Sequence, residues 1–189
     1  MDFNSIVSKL KARWPDVEAP KVDLGDPFVL VPAERVLEIA RFLKDDPELQ
    51  FNSLMSLAGV DTGREFWVVY PLHSLKHRHK LTVKAVLPRE NSVIDSVVSV
   101  WRAADFFERE AYDLYGIVFR NHPDLRRLIN PPDWVGWPGR KDYEYPVDYH
   151  GVATLREDQF FSEAVDAGVT KREEAEKELQ AKLGLGEKK

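Results

Sequence analysis

The sequence predicts an α+β fold: a small, mostly antiparallel sheet with helices packed on one face, followed by an extended C-terminal arm rich in proline and aromatic residues. Three observations carry this reading. Two strand-like segments, residues 65–70 and 81–87, are separated by a loop. Helical apolar stripes precede and follow them, over 3–13, 33–44 and 103–116. From Asn121 to Gly151 neither periodicity survives. The expected organisation is an α+β domain over 1–120, an extended partner-binding arm over 121–160, and a charged helix or tail over 161–189.

In chain order, Phe3, Ile6, Val7 and Leu10 give the first helix its apolar stripe, and Trp14-Pro15 ends it. Residues 15–27 hold three prolines and read as a connector. Phe28 to Val31 is a strand. Pro32 then occupies the first position of a helix running to about Lys44, where its missing N–H costs nothing. Val36, Ile39, Ala40 and Leu43 face inward, and Asp45-Asp46-Pro47 stops the helix. Leu54 to Val60 is apolar but too short to assign. Glu65 to Tyr70 is a strand with little polar face, expected to be central. Leu81 to Leu87 alternates as a second strand, with 71–79 as the hairpin loop. Ser92 to Val100 is a further short apolar segment.

The helix over 103–116 carries an apolar stripe of Ala104, Phe107, Ala111 and Leu114, and Gly116 is placed to stop it in a left-handed conformation. Asp105, Arg109 and Asp113 recur every four residues, so Arg109 has a carboxylate one turn before it and one turn after. Exposed pairs of this kind contribute only about 0.3–0.5 kcal/mol. Stability alone is therefore a weak reason for so many charges. The stretch from Asn121 to Gly151 then holds five prolines, two Trp and three Tyr. Long loops without regular structure are functional or disordered, and disordered segments are poor in aromatics. An arm laid on another protein is the favoured reading; an arm folded back on its own domain is the alternative. Beyond it, Thr170 to Leu183 reads as a charged helix opened by a Thr170–Glu173 capping box, with a narrow stripe of Ala175, Leu179 and Leu183.

Composition excludes several classes of function. With 43% hydrophobic and 31% charged residues, the 189-residue chain is ordinary for a globular domain. A net charge of −5 argues against nucleic acid as a partner. There is no cysteine, hence no disulfide, thiolate nucleophile or cysteine-held iron–sulfur cluster. No apolar run approaches the ~18–20 residues of a membrane span, and Met1-Asp2-Phe3-Asn4 does not open a signal peptide. The ten glycines form no phosphate-cradling loop.

Two constellations invite a chemical reading. Glu108, Glu110 and Asp113 suggest acid–base work, but positions 108 and 110 point about 200° apart on a helix. A solvated or interface charge network is favoured over catalysis. His73, His77 and His79 lie in the hairpin loop beside Lys76, Arg78 and Lys80. Zinc accepts imidazole, yet no nearby carboxylate completes a ligand set and the flanking cations oppose a metal. A solvated loop tip is the default, and contact with an acidic neighbour or anionic headgroups is the weaker alternative. His122, before Pro123, reads as a residue capping its turn.

Three consecutive blocks carry a resemblance: Glu108-Arg109-Glu110-Ala111-Tyr112-Asp113-Leu114-Tyr115-Gly116-Ile117, then His122-Pro123-Asp124-Leu125-Arg126-Arg127-Leu128, then Asp133-Trp134-Val135-Gly136-Trp137-Pro138, and Arg140-Lys141-Asp142-Tyr143. They resemble the so-called 30-kilodalton subunit family of respiratory complex I, known in bacteria as the C-type subunit of NADH-quinone oxidoreductase, over about half the chain, from near Leu54 to Tyr143. Gly139 departs from the family, which more often has Leu there. The Gly-Trp-Pro form of the last block is also similar to the J-type subunit of the ferredoxin-dependent photosynthetic complex, and a membrane hydrogenase uses a related subunit. The resemblance implies an accessory subunit of the peripheral, quinone-reducing module, with no cofactor of its own. Iron–sulfur clusters, flavin and quinone would belong to partner subunits. The implied partners are the 49-kilodalton (D-type) subunit and the B-type iron–sulfur subunit, on the cytoplasmic side of the membrane. The partner-facing residues it implies are Glu108, Arg109, Glu110, Asp113, His122, Arg126, Arg127, Trp134, Arg140, Lys141 and Asp142. A stand-alone hydrolase or metal enzyme using the acidic helix or the loop histidines is the competing reading.

Overall fold

The structure is a computed structural model that describes residues 1–20, 27–146 and 148–153; the charged helix expected over 170–183 lies outside them. Residues Met1–Tyr143 form one compact unit. Its boundary lies past the expected one at 120, because residues 121–143 are hydrogen-bonded into the domain. From the second unit, the described residues form a two-stranded hairpin of β8 (Asp148–Tyr149) and β9 (Val152–Ala153).

Helix α1 (Phe3–Arg13) is capped by Asp2, whose side chain accepts the Ser5 N–H, and buries Ile6, Val7 and Leu10. Strand β1 (Phe28–Val31) leads to Pro32, which precedes a 3-10 turn over Ala33–Arg35 rather than opening the α-helix itself. Helix α2 (Val36–Asp45) then turns Val36, Ile39, Ala40 and Leu43 inward as the spacing predicts. The unassigned segment divides into β2 (Ser53–Leu54) and β3 (Ala58–Asp61). Strand β4 (Glu65–His73) runs straight through Pro71 to pair with β5 (Lys80–Pro88), so the hairpin loop shrinks to residues 74–79. Pro71 is tolerated because its carbonyl, which accepts the Met55 N–H at 2.9 Å, points away from β5. The nitrogen of a strand residue points to the same side, so no bond of the β4–β5 ladder is lost.

The main sheet has the order β1-β5-β4-β2, with β3 also on β4; only the β1–β5 pair is parallel. One face is the core. Phe66, Val68, Tyr70 and Leu72 of β4 and Leu81, Val83, Ala85 and Leu87 of β5 are buried there, in one cluster with the inward residues of the helices. On the opposite face, the register sets Phe28 and Leu30 beside Thr82 and Lys84, these beside Pro71 and Val69, and Trp67 and Val69 beside Val60 and Ala58. These residues remain half-buried or exposed. A short parallel pair, β6 (Val93–Asp95) and β7 (Val118–Arg120), brackets helix α3 (Ala104–Tyr115). Gly116 stops α3 at φ +73°, and a Cβ there would lie 2.6 Å from the Trp137 ring. Among the described residues, no helix is long and apolar enough to cross a membrane.

Candidate functional site

Helix α3 and the return segment 121–143 form the site. The side chains facing the core are not the predicted stripe alone: Ala104, Glu108 and Ala111 are buried, whereas Phe106 is exposed and Phe107 and Leu114 are half-covered. Glu108 is 0% exposed and Glu110 is exposed, so the two carboxylates diverge and share no cleft. Glu108 Oε1 accepts the Val97 N–H at 2.8 Å, tying α3 to the end of β6. Burial raises its pKa to about 7, against the lowering effect of its hydrogen bonds.

Arg109 does not pair with the carboxylates one turn away. It lies 6% exposed, and donates to the carbonyls of Arg126 (3.3 Å) and Arg127 (3.4 Å). Asp105 instead faces His122 Nε2 at 3.6 Å, and Asp113 is taken by Arg127 at 2.7 Å. His122 caps its turn as expected: Nδ1 accepts the Asp124 N–H at 3.0 Å, which leaves Nε2 to donate to the Asp105 carbonyl at 3.2 Å.

Asp113 is the anchor of the return segment. It is 0% exposed. Its Oδ2 accepts from three successive backbone N–H groups, those of Leu128 (3.0 Å), Ile129 (2.6 Å) and Asn130 (2.8 Å). Oδ1 accepts from Arg127 and from the Asn130 side chain. Burial pushes the pKa up, but these donors outweigh it and hold the carboxyl at about 2. Arg127 extends the clamp to the carbonyls of Trp134 (2.9 Å) and Gly136 (2.8 Å), and lies 4.6 Å from the Trp137 ring centroid. Arg140 donates to the Tyr115 carbonyl at 2.7 Å and stacks over Phe66. Gly139 fits against Tyr115 and Leu114, where a Cβ would approach to 2.9–3.0 Å.

The polar residues implied to face a partner therefore divide. Glu108, Arg109, Asp113, His122, Arg127 and Arg140 spend their polar atoms inside the chain. Glu110, Arg126, Lys141 and Asp142 remain on the surface, and Trp134 is half-buried. Lys141 is held by its backbone N–H to Asp61, and Asp142 by an ion pair with Arg89. Sequence reasoning missed the apolar part: Ile129 is 58% and Val135 81% exposed, on backbone fixed by Asp113 and by Arg127 respectively, and Leu128, just before Ile129, is exposed too. The signal is present as apolar residues between prolines, but their direction depends on which backbone groups Asp113 captures.

The loop histidines are also occupied. His77 Nε2 meets the Pro47 carbonyl at 3.0 Å and His79 Nε2 the Leu49 carbonyl at 2.7 Å, so they tie the hairpin to the end of α2. Among the described residues, no group of three or more His, Asp or Glu is placed to hold a metal ion.

The chain is similar to known proteins. A family model described as the respiratory-chain NADH dehydrogenase 30-kilodalton subunit matches residues 29–149. The C-type subunit of NADH-quinone oxidoreductase from Roseiflexus sp. (strain RS-1) is 40% identical over 167 residues, covering 86% of this chain and 95% of its own. Its counterpart from Chloroherpeton thalassium (strain ATCC 35110 / GB-78) is 49% identical over 116 residues, covering 60% of this chain and 48% of its own. Among solved structures, the trypsin-resistant fragment (1-134) of Nqo5 matches with a TM-score of 0.57 at 31% identity, covering 66% of this chain and all of that one. A chain of the membrane-bound sulfane sulfur reductase, an archaeal respiratory membrane complex, shares the fold, with a TM-score of 0.61 at 23% identity over 75% of this chain and 85% of that one.

Proposed function

Because the chain belongs to the 30-kilodalton subunit family of respiratory-chain NADH dehydrogenase, we propose that it is a cofactor-free accessory subunit in the peripheral, quinone-reducing module of a proton-pumping NADH–quinone oxidoreductase. Its neighbours in this reading are the 49-kilodalton (D-type) subunit, which shapes the quinone site, and the B-type iron–sulfur subunit. Iron–sulfur clusters, flavin and quinone are theirs or their neighbours', and they hold this chain on the cytoplasmic side of the membrane. Its work is positional: it fixes redox neighbours at constant separation.

One observation carries the scaffold reading. The return segment turns its polar backbone onto α3 and its apolar side chains, Leu128, Ile129 and Val135, outward. An apolar patch held outward on ordered backbone is a surface made to be covered. The return segment is folded back on α3, and in this reading its outward side chains are what a partner covers.

Affinity purification from native membranes under gentle solubilisation, with subunit identification and an NADH–quinone reductase assay, tests this. Recovery with iron–sulfur subunits and NADH-driven activity is expected. Ile129→Asp combined with Val135→Asp is expected to lower that recovery while leaving the isolated chain folded. Activity only with ferredoxin or hydrogen would move the chain to a sister complex, and a soluble monomer without partners would overturn the scaffold reading.

A further inference from the structure

A second surface, remote in kind from the return segment, is the outer face of the main sheet. A solvated face of an antiparallel sheet normally alternates to polar residues. Here the register leaves Thr82 and Lys84 as its only polar positions among those of β1, β3, β4 and β5 paired across it between Phe28 and Val60. Lys84 occupies the middle. Its ammonium lies 3.5 Å from the Phe28 ring centroid and 5.0 Å from that of Trp67. Burial lowers its pKa, and no carboxylate among the described residues opposes that effect. Of the acidic residues of this face, Glu65 is already bonded by the Trp67 indole N–H at 2.6 Å, and Glu18, bridged to Leu30 beyond β1, makes no ion pair with Lys84. An ammonium between two aromatic rings is half-desolvated and has no anion among the described residues, so covering the face with a purely apolar surface would bury an unpaired charge.

We propose that the outer sheet face docks a partner protein through an apolar surface that brings one carboxylate to Lys84. Charge decides the occupant. In a symmetric pairing of two copies centred on this face, two Lys84 ammoniums would meet, which opposes self-association. Anionic lipid is recruited by clusters of several Lys and Arg, and the strand positions of this face carry two, Lys84 and, at the end of β5, Lys80. A single acidic residue within an apolar patch satisfies both the cation and the surface around it. This inference rests on the chain working inside a multisubunit complex.

Because the chain has no cysteine, single thiols report on each surface separately. Lys84→Cys, Thr82→Cys and Ile129→Cys are each labelled with a maleimide, in the isolated chain and in the purified complex. Protection of positions 82 and 84 in the complex, by about tenfold or more in rate as loss of access to a thiol requires, supports the proposal. In the wild-type complex, a zero-length carbodiimide should then couple Lys84 to an Asp or Glu of another subunit that is flanked by apolar residues. Protection of position 129 without protection of 82 and 84 overturns this inference and leaves the scaffold reading standing. Absence of protection at all three positions overturns both. Equal protection in the isolated chain, coupling to a carboxylate of the chain itself, or coupling to a second copy overturns the heterologous partner.

Discussion

Asp113→Asn removes the charge that fixes the return segment while preserving side-chain size. In the wild type the carboxylate collects three backbone N–H groups, the Asn130 amide and Arg127. Its pKa falls from 3.8 to about 2. Folding therefore favours the ionised form, and that shift corresponds to about 2 kcal/mol of stability at neutral pH. A group with a depressed folded pKa contributes this fully above its unfolded value of 3.8, and loses it as pH falls toward 2. An asparagine keeps one acceptor, but its amino group must face donors, and Arg127 keeps its backbone carbonyls while losing its counter-charge. The expected loss at pH 7 is about 2–4 kcal/mol. Denaturant titration of the isolated chain at pH 7 and again near pH 3 measures it, and the gap between wild type and variant should narrow at the lower pH. Limited trypsin digestion gives the local readout, because Arg126 and Arg127 sit on the segment that the carboxylate holds. Unchanged stability together with unchanged cleavage at those two arginines would refute the anchor.

The remaining predictions concern other joints of the same region. Glu108→Gln keeps an acceptor for the Val97 N–H but cannot ionise; because burial lifts Glu108 from 4.5 to about 7, the wild type is fully stabilised below pH 4.5 and loses about 3 kcal/mol as pH rises through 7. The variant should be the more stable protein at pH 8, and identical pH slopes between 5 and 7 would count against this. Gly116→Ala combines a left-handed φ with a Cβ placed 2.6 Å from Trp137, and should cost about 1–3 kcal/mol by thermal or denaturant unfolding. Arg109→Ala together with Arg140→Ala should lower the yield of assembled complex, since both hold backbone carbonyls of the α3 region or its return segment; a normal yield would sink that expectation.

Regular elements are legible because burial repeats. The stripes of Ile6, Val7 and Leu10 and of Val36, Ile39, Ala40 and Leu43 recur at helical spacing and are buried as expected. The alternation in β4 and β5 is equally direct, although Pro71 hides the last residues of β4 because its carbonyl's direction cannot be read from the chain. The site is less legible. Three carboxylates on α3 look alike in sequence; Glu108 faces β6, Asp113 faces the loop and Glu110 faces outward only because of what packs on each side. The return segment has no period at all. Its order comes from single side chains binding backbone 14–17 residues away, and such contacts leave no pattern in composition. The arginines stand out in the sequence, but Arg109 and Arg140 spend their donors on carbonyls within the chain, and Arg127 on carbonyls and the Asp113 carboxylate.

The carboxylate cradle also bears on when order is acquired. Disordered arms bind by folding onto their targets, and the ordering entropy then subtracts from affinity at that moment. Here Asp113 and Arg127 settle the backbone from 127 to 136 before any partner arrives. Association should then follow the kinetics of two preformed surfaces, limited by collision and orientation rather than by folding. The step at which the chain becomes competent to assemble is, on this view, the closing of α3 onto its own return loop.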